Sequence, residues 1–258
     1  MKKSFKIILL LSALTFVATV AIVKIVTVTA VKETTGVIVP LYVKPASPYW
    51  DTVISIKKEH PKVPIIVIVN PHNGPRVNNT TIQSYLTITQ KLQSVGIIVL
   101  GYTPTQRALK DSTEVIKDIN LYKVEYHVNG ILFDEMPTSP GKEDYFKNLN
   151  GYAKSQNLTF TVGNPGANTS RSYIGILDNL IIYENIGLPS LNYLAWWQSK
   201  YDKKNFSITA YAVDSLDRSF LINMRKYVSY IYITNDNLPN PWDTLPPYFN
   251  DMVGALDQ

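Results

Sequence analysis

Short apolar runs rich in valine, isoleucine and tyrosine recur at even intervals along this 258-residue chain. They read GVIVPLYV (36–43), PIIVIVN (64–70), GIIVLGY (96–102), VNGILFDE (128–135), LTFTVGN (158–164), NLIIYEN (179–185), FSITAYAV (206–213) and SYIYITN (229–235). Most are apolar at successive rather than alternate positions. A strand with one wet face alternates apolar and polar residues. A strand covered on both faces does not, and continuous runs are the mark of buried parallel strands. Between the runs lie six helix-like stretches, at 47–60, 80–96, 111–123, 141–156, 188–204 and 214–227. The first opens on Ser47 and Pro48, an expected N-cap followed by a first-turn proline, and the second closes on Gly96. Residues 165–178 are short and irregular, so a compact helix or turn must make that crossover.

Eight strands alternating with helices predict an α/β protein, a single (β/α)8 (TIM) barrel over residues 36–258. A doubly wound open sheet is the competitor. It has fewer strands as a rule and binds phosphate through a glycine-rich loop after the first strand, and neither GxGxxG nor the P-loop pattern occurs here. A composition of 45% hydrophobic and 17% charged residues is globular. With no cysteine, a disulfide scaffold is excluded.

Ahead of the strands, residues 1–31 place Lys2, Lys3 and Lys6 before a long apolar run from Ile7 to Val31, interrupted by Lys24. This is the order of a secretory signal peptide or of a single N-terminal transmembrane anchor. VTA at 28–30 fits a cleavage site, and the two readings stay open. The segment holds four lysines and no acid, so of the formal charge of +5 only one unit belongs to the rest. A clustered basic face is therefore not expected, which argues against a nucleic-acid binder. Sequons begin at Asn78, Asn79, Asn157, Asn168 and Asn205 and fit an exported, extracellular protein.

In a (β/α)8 barrel the chemistry gathers at the C-terminal ends of the strands. Those ends carry Tyr42, then Asn70 with His72, then Tyr102, the pair Asp134 and Glu135, then Asn164, Glu184 and Tyr211. The three carboxylates come from strands two positions apart, and paired carboxylates are what glycosidic cleavage requires. Adjacent strands are about 4.8 Å apart, so Glu184 is expected to bring a carboxyl oxygen within about 10 Å of one in the strand-four pair. Turn formation by NPHNGP and NPGA is an equally good account of Asn70 and Asn164. Of Trp196 and Trp197, one is expected in the core. The three histidines match no metal pattern, and GxSxG is absent.

The runs VPLYVKP (39–45), IIVIVNPHNGP (65–75), GYTPT (101–105), VNGILFDEMP (128–137), VGNPGA (162–167) and DNLIIYEN (178–185) together resemble the spherulin-4-like family. The resemblance implies a (β/α)8 barrel and kinship with glycoside hydrolase family 135, whose characterised members cleave a polymer containing N-acetylgalactosamine without a cofactor. Its acidic positions fall on Asp134, Glu135 and Glu184. His72, Asn73 and Arg76 depart from the family, which often has small hydroxyl residues or glycine there. The expectation is an exported glycoside hydrolase acting on an amino-sugar polysaccharide, secreted or tethered at the cell surface, with a monomeric barrel. Asp134, Glu135 and Glu184 would be the catalytic acids. Tyr42, Asn70, His72, Tyr102, Asn164 and Tyr211 would line the sugar sites. A non-catalytic cell-surface barrel that binds glycans is the alternative. A lyase or isomerase on this fold would bring a phosphate or metal site that the sequence lacks.

Overall fold

The computed structural model describes residues 34–257. The segment read as a signal or anchor, residues 1–31, lies outside the described residues. The apolar runs become eight parallel strands: β1 (Gly36–Pro40), β2 (Ile65–Val69), β3 (Ile98–Pro104), β4 (Gly130–Asp134), β5 (Phe160–Gly163), β6 (Asn179–Ile186), β7 (Phe206–Tyr211) and β8 (Tyr230–Ile233). Each pairs with the next in sequence, and β1 pairs with β8 through Gly36↔Tyr230 and Val37↔Ile231, closing the barrel.

Closure explains the unbroken hydrophobicity. Ile38, Ile66, Ile68, Leu100, Leu132, Val162 and Ile181 point inward and form one buried cluster. Their neighbours Val37, Val39, Ile65, Val67, Val99, Ile131 and Phe133 point outward into a second, larger cluster under the helices. Successive side chains on a strand face opposite ways, so a barrel strand needs apolar residues at both parities.

The helices are α1 (Tyr49–Glu59), α2 (Asn79–Ser94), α3 (Ser112–Leu121), α4 (Glu143–Ser155), α5 (Leu191–Ala195), α6 (Arg218–Met224) and α7 (Phe249–Leu256). Local chemistry sets their starts: Asn78, Asp111, Ser190 and Asp217 each accept a first-turn backbone N–H through the side chain. One start differs from expectation. Pro48, not Ser47, is the N-cap of α1, and Ser47 Oγ accepts the Tyr49 N–H at 3.3 Å from one residue further back. α3 runs on into a single π turn, Tyr122–Tyr126, which buries both tyrosines.

Two crossovers lack a full-length helix. Between β5 and β6 there is one 3₁₀ turn, Arg171–Tyr173, as the irregular sequence implies. The stretch 188–204 reads as one helix but forms the five residues of α5 and two further 3₁₀ turns. The chain turns out of helical geometry at Trp196, with ψ −120°. Trp197 then inserts into the core against Phe206 and Gln198 is buried, while Trp196 stays 66% exposed. Burying one large ring outweighs the modest preference of those residues for a continuous helix. α7 has no counterpart among the six stretches read from the sequence. At eight residues it is too short for its period to separate a helix from a buried strand.

Candidate functional site

The mouth of the barrel is built from the residues that follow the inward parity at each strand end. On β4, Leu132 lies in the inner cluster and Phe133 in the outer one, so Asp134 points inward and is partly exposed. β3 contributes Tyr102 by the same parity. Just beyond β5, Asn164 is tied to β4 on both sides: its N–H donates to the Phe133 carbonyl at 2.9 Å, and its carbonyl accepts the Met136 N–H at 2.9 Å. These bonds place its amide over Asp134.

β6 needs a special device. Ile181 points inward, so simple alternation would send Tyr183 inward and Glu184 out into the helical layer. The register with β7 shifts between Ile181 and Tyr183: Ile181 opposes Ser207, yet Tyr183 opposes Ile208 and Glu184 opposes Thr209. This β-bulge inserts one residue and flips the parity beyond it. Glu184 turns into the mouth, and Tyr183 turns out to pack against Tyr193 and bond the Ile186 and Gly187 carbonyls. The NPGA turn holds the bulge open, with Gly166 N–H on the Ile181 carbonyl at 3.2 Å and Glu184 N–H on the Gly166 carbonyl at 2.9 Å. Gly166 has φ +64°, the left-handed region that favours glycine.

The result is a bridged acid pair. Asn164 Nδ2 donates to Asp134 Oδ1 at 2.8 Å and to Glu184 Oε2 at 2.7 Å. Those two oxygens are therefore no farther apart than the two bonds laid end to end, about 5.5 Å. Thr209 Oγ1 adds a longer bond to Glu184 Oε2 at 3.4 Å. Burial, helped by the charge of Asp134 and opposed by Asn164 and Thr209, lifts the Glu184 carboxyl from its ordinary 4.5 to about 7. Burial also raises Asp134, against hydrogen bonds from the Tyr102 hydroxyl, the Glu135 N–H and Asn164 that favour its charged form. Both carboxyls are thus raised, and Glu184 is lifted into the neutral range.

Aromatic walls surround the pair. The Tyr42 and Tyr102 rings meet edge to face at 5.7 Å, and both hydroxyls are pushed up by burial and by the nearby carboxylates. Tyr211 packs edge-on to Trp242 at 6.1 Å, and the Tyr42 N–H donates to the Trp242 carbonyl at 2.8 Å.

The other sequence candidates are placed differently. Asn70 uses its Oδ1 to accept the Gly74 N–H at 3.0 Å, closing the loop after β2. His72 is exposed in that loop. Glu135 does not join the bridge. It takes a left-handed φ of 58°, is exposed, and accepts the Gln106 N–H on Oε2 at 3.0 Å. Arg76 turns to the helical layer, where it pairs with Asp118 at 3.0 Å and Glu114 at 3.4 Å. Trp242 and Thr209 belong to the mouth but were not singled out from the sequence. Thr209 was within reach, since FSITAY places Ser207, Thr209 and Tyr211 on one face. Trp242 sits in a proline-rich loop with no periodicity to read.

The family model for Spherulation-specific family 4 matches residues 36–256. The chain belongs to that family. Among curated relatives, Spherulin-4 of Physarum polycephalum is 31% identical over 238 residues, covering 87% of this chain and 70% of that one. The crystal structure of Aspergillus clavatus Sph3 in complex with GalNAc superposes with a TM-score of 0.76 at 23% identity, covering 88% of this chain and 98% of that one. A putative fructose-1,6-biphosphate aldolase from Coccidioides immitis superposes at 0.54 with 10% identity, over 87% of this chain and 86% of that one. At these identities the structural likeness concerns the barrel itself. The family match spans the strand-end residues described above.

Proposed function

We propose that this Spherulin4-family barrel is a glycoside hydrolase that cleaves a polysaccharide containing amino sugars, with Asp134 and Glu184 as its catalytic acids. The observation that carries the reading is the single amide of Asn164 donating to both carboxylates. It holds two acids of different environment across one cleft. The two bridged oxygens, no more than about 5.5 Å apart, suit the ~5–5.5 Å of direct retaining attack better than the ~6.5–9.5 Å that admits an inverting water. Glu184, lifted to about 7, gives its proton to the glycosidic oxygen as the C–O bond breaks. Asp134 attacks the anomeric carbon and forms a glycosyl ester. Water then displaces Asp134, and Glu184 takes that water's proton back. Tyr42, Tyr102 and Tyr211 offer faces and hydroxyls to sugar rings. The GalNAc bound to Aspergillus clavatus Sph3 supports an amino sugar as the ligand class. The apolar segment 1–31 and the sequons support work outside the cell, secreted or tethered at the surface.

The test is incubation of the full chain with a panel of amino-sugar polymers, reading new reducing ends and the anomeric configuration of the first product. Cleavage with retention is expected. Binding without any new reducing ends would favour a non-catalytic glycan-binding barrel.

Asn164→Ala should keep the fold and lower turnover roughly ten- to a hundredfold, the scale of losing a charge-assisted hydrogen bond. Both carboxylates lose a bond that favours the charged form, so the alkaline limb of the pH–rate profile should move up. An unmoved limb would remove Asn164 from the control of the pair.

A further inference from the structure

The loop after β3 contains three consecutive non-glycine residues in the left-handed region, Gln106 (φ 51°), Arg107 (φ 56°) and Ala108 (φ 61°). Side chains disfavour this conformation at each position, and a run of three persists only if its surroundings impose it. The surroundings here are the end of β4. The Asp134 carbonyl accepts the Thr105 N–H at 3.0 Å and Thr105 Oγ1 at 2.7 Å. The Glu135 carbonyl accepts the Arg107 N–H at 2.8 Å, and Glu135 Oε2 accepts the Gln106 N–H at 3.0 Å. Glu135 is itself left-handed, and it is this twist that swings its side chain off the Asp134 side and onto the turn. Beside the turn lies a groove of about 420 Å³ lined by Gln106, Arg107, Glu135, Met136 and Pro165.

We infer that Glu135 is a positioning residue rather than one of the reacting acids. Its carboxylate and carbonyl clamp the left-handed turn 106–108, which fixes the backbone carrying Asp134 and forms one wall of the groove. The inference rests on the glycan-cleaving reading for its kinetic consequence, but the clamp itself is independent of any activity. The clamp needs a hydrogen-bond acceptor at residue 135, not a charge or a proton. Glutamine supplies that acceptor; alanine does not.

The experiment compares the full chain with Glu135→Gln and Glu135→Ala. The first readout is limited trypsin digestion, following the Arg107–Ala108 bond by mass spectrometry. An ordered turn resists cleavage until it opens locally. Glu135→Ala is expected to be cut there about tenfold faster or more, and Glu135→Gln within about threefold of the parent, because only alanine lowers the opening free energy of the turn. The second readout is reducing-end release. Glu135→Gln should keep turnover within about fivefold with the alkaline limb of the pH–rate profile, which Glu184 sets, unmoved, whereas loss of a reacting acid costs at least ~10²-fold. Glu135→Ala should lose activity mainly through a raised KM, as the groove wall loosens. An alanine variant whose Arg107–Ala108 bond stays as resistant as the parent's would refute the clamp even if no glycan were ever cleaved. A glutamine variant that keeps the bond protected yet loses ~10² in turnover would make Glu135 a reacting acid after all.

Discussion

Glu184→Gln is expected to lower glycan cleavage by at least ~10²-fold, the scale of a lost acid–base group, with the fold retained. Glutamine is nearly isosteric and its Oε1 accepts the Asn164 amide, so the bridge survives while the proton does not. The same residue sets the pH dependence. As the proton donor it must be neutral, so activity should fall as pH rises through about 7. On the acid side activity should fall as Asp134 takes up a proton, at a pH above its ordinary 3.8 because burial raises it. Stability follows the same proton. The carboxyl is raised from 4.5 to about 7 in the folded protein, so the fold binds the proton more tightly than the unfolded chain does. Its contribution is fully present below 4.5 and is lost as pH rises through 7. Each tenfold difference in proton affinity between the folded and unfolded chain is worth about 1.4 kcal/mol. Glu184→Gln should therefore melt higher than the parent at pH 8 and gain little at pH 4, a comparison that thermal unfolding reads directly. A variant that is destabilised at pH 8 would show that the carboxylate is held as a structural charge, and would count against the proton-donor role.

Gly101→Val should destabilise the barrel by ~3 kcal/mol or more, at the upper end of overpacking costs. Gly101 lies on β3 at the outward parity, and the Tyr122 ring lies flat against it. A Cβ there would sit 2.4, 2.5 and 2.6 Å from three ring carbons near the base of the side chain. Tyr122 has no room to retreat: it is fully buried, it packs on Tyr126 at 5.1 Å, and its hydroxyl reaches the Val69 carbonyl at 3.4 Å. The strain would fall on the strand that carries Tyr102, so activity should drop along with the melting temperature. Gly151→Ala in α4 is the counterpart of opposite sign. An added Cβ there meets nothing within 4 Å, and alanine in place of glycine inside a helix gains ~0.5–1 kcal/mol. If the two substitutions shifted the melting temperature alike, the close packing of Tyr122 on β3 would not be the cause.

The eight runs, their order and the helices 80–96, 111–123 and 141–156 were legible because they depend on local period. The strand ends were legible too, since a barrel of parallel strands has one catalytic rim and the residue after each run must lie on it. The stretch 188–204 was not, because the break at Trp196 serves a distant contact of Trp197 with Phe206.

By itself the sequence determined the barrel and put Asp134, Glu135 and Glu184 at its rim. Which acids meet was decided only by the tertiary structure. Alternation along β6 points Glu184 the wrong way; the bulge that corrects it exists through pairing with β7 and the Gly166 turn, neither of which is local to that strand. Asn164 reads as a turn former until its two bonds to β4 set its amide between the acids. Asp134 and Glu135 look equivalent as neighbours, yet one left-handed φ parts them, and the turn 106–108 at the end of the neighbouring β3 is the partner that requires it. Strand period is a property of a few consecutive residues, whereas the direction of a side chain at a bulge or a left-handed position is settled by whatever packs on it from elsewhere in the chain.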